Sequence, residues 1–217
     1  MKYLYKIEII ETNKNNDLHQ KKRGYCEGSK IYYIWKNYKE KKISSKYVGL
    51  CHYNRVFDFK NNIPNLDKIF SKYDAIINKR ILLVETMKEQ FSRFHMGHLL
   101  DEIEVIIKEN FTEFYSTAIK SLNKNYINCC NIFIMKENDF IKYGEFVFGV
   151  LLEFDRRHKI NNDNDIQIFI ESEGKKMDNK TCVSCQDRLE GYLMERISNI
   201  FYDYQFTNVL EMIIQIE

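Results

Sequence analysis

The stretch Tyr47-Val48-Gly49-Leu50-Cys51-His52-Tyr53-Asn54-Arg55 decides how this chain is read. Its first half, Tyr47 to Cys51, is short and apolar, the composition of a buried strand. Its second half gathers His, Tyr, Asn and Arg where that strand ends. The ends of strands are where α/β folds bind anionic ligands, and Arg is a planar, multidentate donor suited to phosphate oxygens. His52 and Tyr53 add shorter donors beside Arg55. The same residues admit a plainer reading, with Arg55 paired to a surface carboxylate and His52 a hydrogen-bonded core histidine.

Upstream, Tyr3, Tyr5, Ile7 and Ile9 alternate, so Tyr3 to Ile10 reads as a strand, and the polar run Asn13 to Arg23 as a loop. Ile31, Ile34, Trp35 and Tyr38 then fall at i, i+3, i+4, i+7, the stripe of an amphipathic helix. Glu27 and Ser29 open it, Glu27 favouring its positive end and Ser29 able to satisfy free backbone N–H groups. That helix start could also hydrogen-bond a sugar or phosphate. Tyr32 and Trp35 read as core aromatics.

Downstream, Tyr73 to Ile77 and Ile132 to Met135 read as strands. Leu82 to Leu100 reads as one or two helices interrupted near Gly97, with the helical face continuing to Asn110. Asp139 to His158 and Gln186 to Tyr202 read as long helices. Asn161 to Cys182 is polar around an Ile-Gln-Ile-Phe-Ile patch, the pattern of a loop with a small strand or hairpin. The tail from Phe206 to Ile216 alternates again. Interleaved strands and helices make an α/β layer architecture, and 217 residues suit a single domain over 1–217.

Composition excludes several partners. A net charge of +2 gives no broad field for nucleic acid or an anionic membrane, so any anion site is a local cluster. No run approaches the roughly 20 apolar residues that span a bilayer. Six cysteines and a start without a signal-peptide core read as reduced thiols in a cytoplasmic protein.

Four strings in order carry a further likeness: Glu27 with Tyr32 to Asn37, Gly49 to Arg55, Asn131 to Met135, and Arg188 to Arg196. Together they resemble the E-L-T-x-x-Y-W-x-W-K-N, G-L-C-H-Y-R-R-Y-F, N-M-F-I-M and R-x-x-G-[YF]-L-x-E-R pattern of the capsular and exopolysaccharide-biosynthesis glycosyltransferases, long filed as a domain of unknown function. The resemblance spans about residues 25 to 202. It implies a Rossmann-like, GT-A-type domain with a mixed sheet flanked by helices, moving a hexose or galactofuranose from a UDP-linked donor to a glycan acceptor. Relatives usually begin with a strand like V-A-T-H-K and reach the Trp-Lys-Asn motif some tens of residues later, whereas this chain reaches it by Trp35. Asn54 also stands where the family has its first Arg. An inactive relative that still binds glycan or nucleotide is the alternative.

Glycosyl transfer builds negative charge on a departing diphosphate, which a metal ion or fixed donors must stabilise. Where related folds carry Asp-x-Asp, this chain offers His52-Tyr53-Asn54-Arg55, so a metal-independent site without a divalent cation is expected. Donor-binding candidates are Glu27, Ser29, His52, Tyr53, Arg55, Asn131 and Arg188. Glu195 or Asp101 could deprotonate the acceptor hydroxyl, though a structural ion pair between Glu195 and a nearby Arg is equally open. Asp163-Asn164-Asp165 reads as a solvated loop. His95 and His98 with Asp101 and Glu102 have helical spacing that could bind a transition metal. Cys182 and Cys185 have zinc-knuckle spacing without a partner pair, and Cys129 and Cys130, if on a strand, point to opposite faces.

Overall fold

The computed structural model describes residues 18–52, 54–59, 64–176 and 186–216; the strand expected over Tyr3 to Ile10, Tyr53, and the cysteines Cys182 and Cys185 lie outside them. In chain order the elements are a 3-10 turn (His19–Lys21), α1 (Lys22–Tyr25), α2 (Gly28–Lys39), β1 (Tyr47–Leu50), β2 (Arg55–Phe57), α3 (Leu66–Phe70), β3 (Ala75–Asn78), β4 (Ile81–Leu82), α4 (Met87–Phe94) and α5 (His98–Asn110). There follow α6 (Thr112–Leu122), β5 (Tyr126–Ile127), β6 (Phe133–Lys136), α7 (Glu137–His158), α8 (Asp163–Lys176), α9 (Leu189–Gln205), β7 (Val209–Met212) and β8 (Ile214–Ile216).

A mixed sheet in the order β1-β6-β3-β7 holds the centre, with β3 and β7 parallel and the other pairs antiparallel. Its side chains alternate between two buried faces. Val48, Ala75, Ile77, Phe133 and Met135 join the large helical core, while Ile76 packs with Ile132, Phe57 and Phe70 on the other side. Burial on both faces explains why β3 reads as a continuous apolar run.

The helical core is built on α7, which packs against α2 and α9. Tyr32 and Trp35 of α2 meet Phe148 of α7 at ring distances of 5.0 and 5.6 Å, so both are core aromatics. Gly144 makes this approach possible, since a Cβ there would lie 2.1 Å from the Trp35 ring. Trp35 Nε1 donates to the Ile141 carbonyl at 2.9 Å, which pairs the indole N–H.

Register decides where the site falls. Leu50 of β1 and Ile77 of β3 both stand opposite Phe133, the first residue of β6. The residues after β1, the last residue of β3 and the loop before β6 therefore share one edge of the sheet.

Three expectations are corrected. Asn161 to Cys182 is not a loop with a strand through its described part: 163–176 form α8, because Ile166, Phe169 and Ile170 point inward at helical spacing while Ile168 is exposed. Asn162 Oδ1 accepts from the backbone of Asn164 and Asp165, capping that helix, so Asp163 and Asp165 form its first turn. From Leu18 onward the expected polar loop is helical, because Lys21 and Tyr25 both bond Asp155 of α7. The helix expected from Leu82 starts at Met87, behind a capping box of Thr86 and Glu89, while Ile81–Leu82 pairs with β5.

Candidate functional site

At the edge where β1 and β3 end, five segments deliver polar side chains to one place. Past β1 the chain makes a tight turn in which the backbones of His52 and Arg55 pair with each other, His52 N to Arg55 O at 3.1 Å. Both side chains reach the loop before β6: His52 Nε2 lies 2.7 Å from the Cys130 carbonyl, and Arg55 Nη1 3.2 Å from Cys130 Sγ. A carbonyl only accepts, so Nε2 carries the proton of that histidine. His52 is thus hydrogen-bonded, and Glu27 Oε1 lies 3.8 Å from the same nitrogen.

Cys130 and Asn131 both have positive φ, 70° and 49°. Such conformations cost of order 1–3 kcal/mol each for non-glycine residues and persist only where the surroundings hold them. Here α9 does the holding. Glu195 Oε1 accepts from the Cys130 backbone N–H at 2.8 Å, Ser198 Oγ donates to Asn131 Oδ1 at 3.0 Å, and Asn199 Oδ1 accepts from Asn128 N at 2.9 Å. Asn128 in turn donates to the Asn78 carbonyl at 2.6 Å, tying the loop to the end of β3. Cys129 and Cys130 lie in this loop and not on a strand, so the condition for opposed side chains is not met; their sulfurs are 3.4 Å apart.

Asn131 is buried, and its amide is oriented by its partners. Tyr143 donates to Ser198 (2.8 Å), Ser198 to Asn131 Oδ1, and Asn131 Nδ2 to Glu27 Oε1 at 3.1 Å. The chain of hydrogen bonds ends on a carboxylate that also faces Arg188, whose Nη2 is 3.5 Å from Glu27 Oε2. Arg188 Nε donates to Cys26 Sγ at 2.8 Å, and its side chain is 53% exposed, leaving N–H groups open to solvent. Both arginines of the cluster thus donate to a cysteine sulfur, a weak acceptor.

Electrostatically the cluster mixes Arg55, Arg188 and His52 with Glu27 and Glu195. Each oxygen of the Glu195 carboxylate accepts one hydrogen bond, Oε2 from Arg196 Nη1 at 2.9 Å. That ion pair is the alternative the sequence left open for Glu195. Arg196 is buried, and burial holds its guanidinium below its ordinary value against the pull of Glu195. Burial pushes the Cys26 thiol up, with the hydrogen bond from Arg188 opposing it.

Of the sequence candidates, Glu27, His52, Arg55, Asn131, Arg188 and Glu195 come together, and Tyr53 lies outside the described residues. Glu27 is the N-cap residue of α2, as expected at its positive end, but makes no side-chain capping bond: its side chain turns to Asn131, and Ser29 Oγ donates to the Cys26 carbonyl at 2.9 Å. Asp101 stands apart, pairing with Lys88 at 2.6 Å. His95, His98 and Glu102 go to three different partners, Gln186, Glu173 and His158. Among the described residues no group of three or more His, Cys, Asp or Glu is arranged to hold a metal ion. Two cavities, of about 360 and 420 Å³, lie elsewhere; Phe114 and Phe146 help line the first, Tyr47 and Lys136 the second.

Sequence reasoning missed Asn78, Asn128, Ser198 and Asn199, the buried polar residues that hold the loop. Their signal was polar residues breaking apolar faces: Ser198 and Asn199 interrupt the α9 stripe beside Ile197 and Ile200, and Asn78 ends an otherwise apolar strand.

Residues 2–171 match the family described as Domain of unknown function (DUF4422). No curated protein matches the chain. Among solved structures, the apo structure of the WbbM bifunctional glycosyltransferase superposes with a TM-score of 0.67 at 17% identity, covering 93% of this chain. The chain spans 38% of the length of that protein, and at this identity the likeness concerns the fold. A match over most of its length places the chain in the DUF4422 family, to which it belongs.

Proposed function

We propose that this DUF4422 member transfers a sugar from a nucleotide-sugar donor, UDP-linked, to a glycan acceptor such as a growing surface polysaccharide. In this reading Arg55, His52 and Arg188 hold the departing diphosphate in place of a divalent cation. One observation carries it: six side chains scattered over residues 27–195 meet in a single hydrogen-bonded cluster beyond the ends of β1 and β3. The fold neighbour, whose name is that of a bifunctional glycosyltransferase, supports the same reading.

The chemistry follows from the partners each group has. As the glycosidic bond to the diphosphate breaks, charge collects on the leaving oxygen, and charge-assisted N–H donors stabilise it. Arg55 and Arg188 exchange a cysteine sulfur for a phosphate oxygen, replacing a weak acceptor by a strong one. Asn131 and Glu27, fixed by the relay from Tyr143, present a donor and an acceptor to sugar hydroxyls. Of the two carboxylates considered as base, Glu195 lies in the cluster and Asp101 does not. Each carboxylate oxygen accepts more than one hydrogen bond, so Glu195 can still receive the acceptor proton.

A binding-only relative is favoured by one observation, that both Glu195 oxygens are already engaged by Cys130 and Arg196. Thermal unfolding with UDP-, GDP- and dTDP-sugars, each with and without chelator, tests donor binding, since a ligand of the folded state raises its stability. UDP-sugars should stabilise the protein in both conditions; no stabilisation by any of them sinks the transferase reading. Release of UDP from the stabilising donor then separates turnover from binding alone.

A further inference from the structure

Three cysteines border the cluster, and two of them are chemically unusual. Cys129 and Cys130 are neighbours in sequence, half-buried, with sulfurs 3.4 Å apart, and Arg55 Nη1 lies 3.2 Å from Cys130 Sγ. A guanidinium beside a sulfur and a second thiol within hydrogen-bonding reach are the surroundings that favour a thiolate. Consistently, the hydrogen bond with Cys129 and the charge of Arg55 pull the Cys130 thiol down, against burial and Glu195, while the same pairing pushes Cys129 up.

We propose that Cys129 and Cys130 form an oxidisable vicinal dithiol, with a low-molecular-weight disulfide such as glutathione disulfide as its co-reactant. The Cys130 thiolate attacks one sulfur of that disulfide; its S–S bond breaks, one glutathione thiolate leaves, and a mixed disulfide forms on Cys130. Cys129 then gives up its proton and attacks Cys130 Sγ, expelling the second glutathione thiolate and closing the Cys129–Cys130 bond. Both protein thiols are oxidised, one glutathione disulfide is reduced, and the two protons end on the two released glutathiones.

The ring this makes is reversible by construction. Adjacent residues have Cα atoms about 3.8 Å apart, shorter than the roughly 4.4–6.8 Å of ordinary disulfides. Such a bond is readily reduced, which suits a switch and not a structural staple. Oxidation also turns the Cys130 thiolate beside Arg55 into a neutral disulfide sulfur, in the loop whose backbone holds His52 and Glu195. The dithiol does not depend on the donor reading, because it is read on sulfur.

The test uses the full reduced chain at neutral pH, treated with glutathione disulfide, quenched by alkylation and mapped by tandem mass spectrometry. The peptide with Cys129 and Cys130 should lose a pair of hydrogens, escape alkylation and regain both thiols with dithiothreitol. Cys129→Ser should stop at a glutathione adduct on Cys130, and Cys130→Ser should show neither product. With limiting iodoacetamide, the unmutated chain should label Cys130 about tenfold faster than the more exposed Cys51. The proposal is overturned if Cys129 and Cys130 both remain alkylatable while another cysteine is oxidised, or if Cys51 labels first.

Discussion

Glu190 and Glu195 stand on the same helix, α9, and end in opposite surroundings. Glu190 is fully buried, neither of its oxygens has a hydrogen-bond partner among the described residues, and a Cβ on Gly24 would lie 2.1 Å from it. Burial, reinforced by the neighbouring Asp155, pushes its pKa up to about 8. Glu195 has a backbone N–H and a guanidinium on its two oxygens, those of Cys130 and Arg196. One carboxylate is enclosed beside a second buried acid; the other is wired into a strained loop at the end of the sheet. The helix supplies both, and the difference is made by what the rest of the chain brings to each face.

Breaking the enclosed side should have the largest effect. Asp155→Ala strands the buried ammonium of Lys21, 2.6 Å away, and removes the partner of Tyr25. Losing one member of a buried ion pair typically costs about 3–5 kcal/mol, a loss that denaturant unfolding would register. Survival of full stability would show that the pair is not sealed from water.

On the open side, Glu195→Gln should lower donor turnover by about 100-fold if the carboxylate acts as base, with much smaller change in UDP affinity. A loss confined to affinity would instead make Glu195 only a holder of the 128–132 loop. Glu190→Gln sharpens the contrast through pH. The folded chain keeps that proton up to about pH 8, whereas the unfolded chain releases it in the ordinary carboxylate range. Stability therefore falls as pH rises between those values, and Glu190→Gln should flatten that slope. An unchanged slope would place the titration on another group. The smallest effect belongs to Asp101→Asn: Lys88 keeps Glu104 at 2.7 Å, and turnover should stay within about twofold.

The contrast also shows what the sequence makes legible. The strands at Tyr47 and Ala75 and the helices α7 and α9 could be read because apolar periodicity sits on regular elements, and the motif strings named six candidate residues that the fold brings together. Helix α8 could not, since Ile166, Ile168 and Ile170 also alternate, and only packing shows that Ile166, Phe169 and Ile170 form the inward face. The loop before β6 was equally hidden. Asn199, far along the chain, anchors Asn128 just before its two positive-φ residues, and in a chain this rich in asparagine neither stands out.

Calorimetric titration of UDP into the unmutated protein and Arg55→Ala, each with chelator present, bears most directly on a cation-free diphosphate site. The proposed function predicts binding without added metal and a loss of about tenfold or more in the variant, some 1.4 kcal/mol. Binding that vanishes with chelator, or an affinity that ignores Arg55, would contradict it.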